Sequence, residues 1–159
     1  MHILLVNDDG IGSVGIMALF HEALKRGHRV TMCAPAAQQS AASHRITLTE
    51  PIMAKTYPVD SPMAEAYAIH GSPVDCVRLG LLGGLAKKPD LVLSGINNGY
   101  NAGMAVQYSG TVGAAMEGAL YRLPASAASI DYGAEPQAVH ELAEKQRTWS
   151  ACWIPSLRA

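Results

Sequence analysis

The chain has 159 residues, enough for one domain, and 49% of them are hydrophobic, so the sequence predicts a sizeable core. Its net charge is −1 and aromatic residues make up only 6%, which argues against a nucleic-acid polymer as partner. No apolar run is long enough to cross a membrane, and the N-terminus lacks the pattern of a signal peptide. The three cysteines are widely spaced, as expected for reduced thiols in a cytoplasmic protein.

An apolar run at residues 3–6 leads directly into Asn7-Asp8-Asp9-Gly10. This pattern predicts a buried central strand of a parallel sheet that ends in a tight turn. Ligands of open α/β sheets bind at the carboxyl ends of the strands, so Asp8 and Asp9 are candidate site residues. Two adjacent carboxylates repel unless a cation compensates them, and oxygen ligands favour Mg²⁺, Mn²⁺ or Ca²⁺. The alternative is that these polar residues only form the turn and cap the next helix.

The first βαβ unit follows from the apolar periodicity of residues 14–34. Helical spacing predicts a helix over residues 14–26, and a short apolar run predicts a strand over residues 29–34. The first turn lacks a Gly-x-Gly-x-x-Gly loop, which argues against a dinucleotide-binding domain of the usual kind. Residues 35–44 are small and polar and leave the same sheet edge, where loops often carry function. A plain surface connection is the alternative for that loop.

The middle of the chain predicts a small β insertion between residues 46 and 70, followed by a helix that Ser72 caps and Pro73 begins. A strand is predicted over residues 90–94. The segment 95–113 is rich in glycine and asparagine and is predicted to be a long functional loop. At its end, Ser109-Gly110-Thr111 opens a helix of small residues, a pattern typical of a phosphate site. A plain Ser/Thr N-cap is the alternative.

Six short motifs lie in order along about the first 131 residues, and together they are similar to the motifs of the SurE family of stationary-phase survival proteins. Each motif is weakly specific alone, whereas six in register are strongly specific. The motifs are Asn7-Asp8-Asp9-Gly10-Ile11, Ala34-Pro35, Ser40-Ala41, Gly71-Ser72-Pro73-Val74-Asp75-Cys76-Val77, Ser94-Gly95-Ile96-Asn97-Asn98-Gly99 and Ser109-Gly110-Thr111-Val112.

The resemblance implies a Rossmann-like, three-layer α/β fold with a mostly parallel sheet and a small β insertion. It also implies one divalent metal cation, Mg²⁺ or Mn²⁺. Carried over motif by motif, the metal ligands are Asp8, Asp9, Ser40 and Asn97. The residues on the phosphate side are Asn101, Ser109, Gly110 and Thr111.

The SurE family consists of metal-dependent phosphatases of nucleoside monophosphates, so the resemblance implies a 5'-nucleotidase that hydrolyses nucleoside 5'- and 3'-monophosphates. Asp8 is the candidate catalytic residue, either as a base or orienting group or as a nucleophile that forms an aspartyl phosphate. His44 and His70 are candidate acids for the leaving group, with a structural role as the alternative. The alternative function is a metal- and nucleotide-binding fragment without catalytic activity.

Family members usually have longer chains, and the resemblance ends after Asp131. We divide the sequence into a phosphatase domain, residues 1–146, and an irregular tail, residues 147–159, which carries both tryptophans. An early end of the sheet leaves an edge strand, so we expect a homo-oligomer with activity below that of longer relatives. The alternative is a compact monomer in which the tryptophans cover that edge.

Overall fold

The computed structural model describes residues 1–145 as a six-stranded sheet between two layers of helices. The predicted tail, residues 147–159, lies outside the described residues, as does Gln146. The strands are β1 (His2–Val6), β2 (Arg29–Pro35), β3 (Ala54–Thr56), β4 (Ala64–Ile69), β5 (Leu91–Asn98) and β6 (Ala125–Ile130). Their order is β3-β4-β2-β1-β5-β6, which confirms the prediction that the first strand is central.

The sheet is parallel except at one edge, where β3 runs antiparallel to β4. The segment predicted as a β insertion therefore forms this edge, and its second strand belongs to the main sheet because β4 pairs with β2 in parallel. Within the predicted insertion, residues 46–53 form no strand, and the first strand there, β3, begins at Ala54. With this adjustment, the α/β fold class is confirmed.

The helices cover both faces of the sheet, and alternate side chains of β1 point to opposite layers. The helices are α1 (Val14–Lys25), α2 (Pro73–Leu81), α3 (Gly110–Leu120) and α4 (Pro136–Lys145), with a 3₁₀ helix over Gly103–Tyr108. Ile3 and Leu5 belong to the core shared with α1 and α4. Leu4 and Val6 belong to the core shared with α2 and α3. A strand buried on both faces must be apolar throughout, which explains the run at residues 3–6. Among the described helices, none has the length and apolar character needed to cross a bilayer.

Local sequence sets the start of α2, as predicted. The Ser72 side chain accepts the backbone N–H of Asp75, and the Asp75 carboxylate accepts the backbone N–H of Ser72. This reciprocal capping box satisfies donors that a helix start leaves without intrahelical partners. Asp75 also accepts the backbone N–H and hydroxyl of Thr47, at 2.9 and 2.7 Å. The cap thus ties the helix to the loop that follows β2.

The predicted loop over residues 95–113 is partly wrong. Strand β5 continues to Asn98 because Asn97 pairs with Ser129 and Asn98 pairs with Ile130, after an irregularity in the register. Pairing with a neighbouring strand outweighs the turn preference of glycine and asparagine. The rest of the segment contains the 3₁₀ helix, which ends immediately before the Ser109 cap of α3.

Candidate active site

The carboxyl ends of β1, β2 and β5 meet around a cavity of about 320 Å³. Asp8 and Asp9 follow β1, Ser40 follows β2, and Asn97 lies near the end of β5. The cavity lining includes the four predicted metal ligands and two of the predicted phosphate-side residues; these six are Asp8, Asp9, Ser40, Asn97, Asn101 and Ser109. These six predicted site residues therefore lie together, although Asp8 and Ser109 are 101 positions apart in the sequence.

The carboxylate of Asp8 is buried and held by the first turn of α3. Thr111 donates its hydroxyl to Oδ1 of Asp8 and its backbone N–H to Oδ2, the latter at 3.3 Å. Burial is the largest influence on the pKa of Asp8 and raises it, the Thr111 hydroxyl lowers it, and the charge of Asp9 raises it. The net result is a pKa above the ordinary value of an aspartate. Asp8 is thus oriented by α3 and has a raised affinity for a proton.

Asp9 is more exposed and contacts the two sides of the cavity mouth. Its Oδ2 accepts the backbone N–H of Asn98 at 3.0 Å, and its Oδ1 accepts the side-chain amide of Gln38 at 3.3 Å. A second cavity, of about 260 Å³, shares Asp9, Gln38 and Asn98 with the first and extends between the starts of α1 and α4. The sequence did not single out Gln38 or Asn98 as site residues.

Two asparagine side chains on the β5 side are fixed by donated hydrogen bonds. The amide of Asn97 donates to the carbonyl oxygen of Gly99 at 2.7 Å, and the amide of Asn101 donates to the hydroxyl of Ser129 at 2.8 Å. Each NH₂ group is therefore engaged, and the side-chain carbonyl oxygen remains as an acceptor. For Asn97 this is the atom that a cation ligand requires.

Helix α3 begins at the cavity and packs closely against Asp8. The hydroxyl of Ser109 accepts the backbone N–H of Val112 at 3.1 Å and so caps the helix. A Cβ added to Gly110 would lie 3.0 Å from Cβ of Asp8 and 2.9 Å from Cγ of Pro73. Only glycine fits between these neighbours without displacement. The start of α3 therefore brings backbone N–H groups and the positive end of the helix dipole to the cavity.

The loop that carries Ser40 is anchored on both sides of the residue. The backbone N–H of Gln39 donates to the carbonyl oxygen of Asp8 at 2.7 Å, and the backbone N–H of Ser43 donates to that of Tyr108 at 2.9 Å. Nε2 of His44 lies 2.8 Å from Oε2 of Glu117, a buried carboxylate on α3. These contacts hold the exposed Ser40 near Asp8.

The histidines predicted as candidate acids are not among the residues that line the cavity. His44 contacts Glu117, and Arg78 donates to the other oxygen of the same carboxylate at 3.1 Å. The backbone N–H of His70 donates to the carbonyl oxygen of Met53 at 2.8 Å. The structural alternative fits His44, whose ring has Glu117 as partner, and neither histidine lines the cavity in which a general acid would act.

The alternative in which Asp8 and Asp9 merely cap the next helix does not match the structure. Helix α1 begins at Val14, and Ser13 occupies the N-cap position. Asn7 stabilises the turn, because its side-chain amide donates to the carbonyl oxygen of Gly10 at 2.9 Å and to the hydroxyl of Ser13 at 2.8 Å. The two carboxylates are left facing the cavity.

The oxygen atoms of the side chains around the cavity are suitable ligands for a divalent cation. The ion pairs within residues 1–145 join six Lys, Arg and His side chains to glutamates, and none of these pairs involves Asp8 or Asp9. No group of three or more His, Cys, Asp or Glu side chains suitable for a metal occurs in this described part. A cation here would therefore have two carboxylate ligands and complete its coordination with neutral oxygens, such as those of Ser40 and Asn97. Such a ligand set suits Mg²⁺ or Mn²⁺.

Comparison with known proteins agrees with this arrangement. The family model "Survival protein SurE" matches residues 3–156. A protein named 5'-nucleotidase SurE from Maridesulfovibrio salexigens is 49% identical over 131 residues, which are 82% of this chain and 51% of the relative. One of the same name from Clostridium botulinum is 47% identical over 146 residues, 91% of this chain and 57% of the relative.

The fold is also similar to a solved structure. The crystal structure of a SurE protein from Aquifex aeolicus superposes with a TM-score of 0.71 at 42% sequence identity, and covers 92% of this chain and 60% of the other. The chain thus spans about half the length of the curated relatives it matches. The family match extends over nearly the whole chain, and the chain belongs to the SurE family.

Proposed function

We propose that this chain is a divalent-metal-dependent phosphomonoesterase that hydrolyses nucleoside 5'- and 3'-monophosphates to a nucleoside and phosphate. The observation that carries the proposal is the cavity in which Asp8 and Asp9 face the start of α3. A pair of uncompensated carboxylates and a helix N-terminus are complementary to a metal and to a phosphate, respectively. The name 5'-nucleotidase, carried by the relatives from M. salexigens and C. botulinum, supports the substrate class.

The proposed metal ligands are Asp8, Asp9, Ser40 and Asn97. When bound, Mg²⁺ or Mn²⁺ supplies charge neutralisation at the phosphoryl oxygens and lowers the pKa of water. The chain holds its ligands in place before binding, because Thr111 fixes Asp8 and the Asn98 N–H fixes Asp9. Such preorganisation reduces the rearrangement needed on binding.

The phosphate group is proposed to lie against the first turn of α3. Gly110 lets the backbone approach closely, and Ser109 and Asn101 line the same side of the cavity. Phosphoryl transfer depends mainly on positioning and charge neutralisation, which backbone N–H groups and a helix dipole supply. These groups balance the negative charge of the substrate without placing a lysine or arginine in the cavity.

Asp8 is proposed to act on the reacting oxygen. As a base or orienting group it accepts a proton from the attacking water. As a nucleophile it forms an aspartyl phosphate while the nucleoside oxygen leaves, and water then attacks phosphorus to release phosphate and restore Asp8. Direct attack by water inverts the configuration at phosphorus, whereas two successive displacements retain it, so a thiophosphate ester made chiral with oxygen isotopes and hydrolysed in labelled water separates the two routes.

The test of the proposal is turnover of AMP and of p-nitrophenyl phosphate by the purified chain in Mn²⁺, with and without EDTA. We expect phosphate release that EDTA abolishes and that Asp8→Asn reduces to background. Release that persists in EDTA contradicts the metal dependence. Activity on 3'-AMP tests the second substrate class.

The second candidate function is metal and nucleotide binding without turnover. The chain spans about half the length of the curated relatives named 5'-nucleotidase, so binding and turnover are tested separately. Calorimetric binding of AMP in the presence of Mn²⁺ combined with an absence of phosphate release supports this candidate and contradicts the first.

We also infer that the protein self-associates and resides in the cytoplasm. Within residues 1–145, β6 pairs with a strand on one side only, and edge strands favour association. Light scattering coupled to size exclusion tests the oligomer, and a monomer at all concentrations contradicts it.

The cysteines support the cytoplasmic location. Cys33 and Cys76 are buried, unbridged thiols, as expected in a reducing compartment, and burial raises the pKa of Cys33 to about 12.

A further inference from the structure

Two tyrosine side chains lie at the rim of the proposed active-site cavity and have no part in the proposed metal or phosphate sites. Tyr108 and Tyr132 both line the cavity, yet they are 60% and 86% exposed. Most of the remaining lining residues are polar or charged. The cavity thus has a polar floor, which includes Asp8 and Asp9, and an aromatic rim.

Tyr132 is connected to the metal-binding side of the cavity through one residue. It lies in a turn in which the Ala134 N–H donates to the carbonyl oxygen of Asp131 at 3.1 Å. The next residue, Gly133, donates its backbone N–H to Oδ1 of Asn98 at 2.8 Å. Asn98 in turn donates its own backbone N–H to Asp9 at 3.0 Å. The turn that carries the ring is therefore held at a defined position relative to Asp9.

The arrangement matches the chemistry of a nucleotide from end to end. The phosphate is proposed to lie at the α3 start, and the side chains of Gln38 and Asn98 on the lining suit the hydroxyls of a ribose. The third part of a nucleotide is its planar, weakly polar base. An exposed aromatic ring is a suitable binding partner for it, because every base has a π face. The volume of about 320 Å³ is sufficient for one small ligand.

We propose that Tyr132 stacks on the nucleobase of the substrate and, together with Tyr108, makes the site prefer nucleotides over phosphomonoesters without a base. This inference rests on the proposed nucleotide phosphatase function. Stacking is tolerant of base identity, so the site accepts all bases, and the larger purines depend most on the ring. Tyr132 is the better residue to vary, because its side chain is the more exposed of the two, 86% against 60% for Tyr108.

The experiment compares AMP with ribose 5-phosphate, which has the same phosphate and sugar but no base. For Tyr132→Ala we expect the KM for AMP to rise about tenfold, in line with the loss of one aromatic stacking partner, with kcat nearly unchanged. The KM for ribose 5-phosphate should not change. Tyr132→Phe retains the ring and should match the parent on both substrates. Tyr100→Ala is the matched control, since Tyr100 is 64% exposed but is not among the residues that line the cavity.

Three results with the Tyr132→Ala variant, and two with the parent, overturn the inference. One is an equal change for both substrates in Tyr132→Ala, and another is no change for either. The third is a shift of oligomeric state in Tyr132→Ala with kinetics unchanged, which assigns the ring to a contact between copies. Calorimetric titration of AMP and ribose 5-phosphate in Mn²⁺ gives the same comparison without turnover. A parent that releases phosphate from both substrates equally well contradicts the stacking inference alone, whereas a parent that neither binds nor hydrolyses AMP contradicts the proposed function too.

Discussion

Thr111 donates both its hydroxyl and its backbone N–H to the carboxylate of Asp8, across 103 positions of sequence. The hydroxyl bond lowers the pKa of Asp8, in opposition to burial, which raises it. The first turn of α3 therefore keeps a buried carboxylate closer to its charged form. This pair connects the metal side of the proposed site with the phosphate side.

Thr111→Val removes the hydroxyl donor with little change in shape and keeps the backbone bond. The pKa of Asp8 should rise, so the acidic limb of the pH–rate profile should move to higher pH. The activity at neutral pH should fall about tenfold or more, since a hydrogen bond to a charged group is worth ~1.5–3 kcal/mol. Thr111→Ser should restore both properties. An unchanged acidic limb in Thr111→Val contradicts the role assigned to the hydroxyl.

Asp9→Asn should weaken Mn²⁺ binding by at least about tenfold, because it removes one of two charged ligands from a site of oxygen donors. Asn97→Ala should weaken binding less, since the lost ligand is neutral. Isothermal titration of the purified variants with Mn²⁺ measures both effects. Asp60→Asn, an exposed aspartate after β3, is the control for the change in net charge. Equal Mn²⁺ affinity in Asp9→Asn and the parent would exclude Asp9 as a ligand.

Gly110→Val should impair the phosphate side of the site. A side chain there meets Cβ of Asp8 and Cγ of Pro73 at about 3 Å, so the start of α3 must shift away from the cavity. Inorganic phosphate should inhibit the parent competitively and the variant at least about tenfold less well. Gly12→Ala is the matched control, because its added Cβ has only an ordinary contact, 3.5 Å from the Tyr57 hydroxyl oxygen. If phosphate inhibits Gly110→Val as strongly as the parent, the anion site lies elsewhere.

Asp75→Asn should destabilise the fold at neutral pH and have little effect in acid. Burial alone would raise the pKa of Asp75, but hydrogen bonds from Thr47 and Ser72 outweigh it, and the pKa lies below its ordinary value. The charged form is therefore favoured in the folded state, and its contribution is present above the unfolded-state pKa of about 3.9 and is lost as the pH falls through the folded-state pKa.

Urea denaturation of Asp75→Asn and the parent at several pH values measures this contribution. The loss in free energy of unfolding should be about 1–3 kcal/mol at pH 7 and should shrink below pH 4. Glu50→Gln, which changes an exposed carboxylate, should show no such difference. A loss that is the same at pH 7 and in acid would assign it to packing rather than to charge.

Local features were predictable from the sequence because short-range physics determines them. The run at residues 3–6 predicted a strand buried on both faces, and the pair Ser72 and Pro73 predicted the start of α2. The motifs assigned Asp8, Asp9, Ser40 and Asn97 to strand ends, and parallel strands end at one edge of the sheet. Their proximity followed from the topology, whereas their roles as ligands stay predictions.

Contacts between distant segments could only be seen in the tertiary structure. The extension of β5 to Asn98 depends on pairing with β6, and it positions the N–H that Asp9 accepts. The sequence singled out the two loops that contain Gln38 and Tyr108 but not these residues themselves, and Tyr132 lies outside both loops.

The sequence by itself determined the family, the order of the main strands and helices along the chain, and the candidate side chains for oxygen ligands, because periodicity, capping and short motifs are encoded within a few residues. Tertiary structure decided which of these side chains share one cavity and what holds them there. Thr111 contacts Asp8, and the Tyr132 turn contacts Asn98, only because folding brings together segments that are far apart in the chain. Such contacts depend on strand pairing and helix packing over the whole domain, which no local pattern specifies.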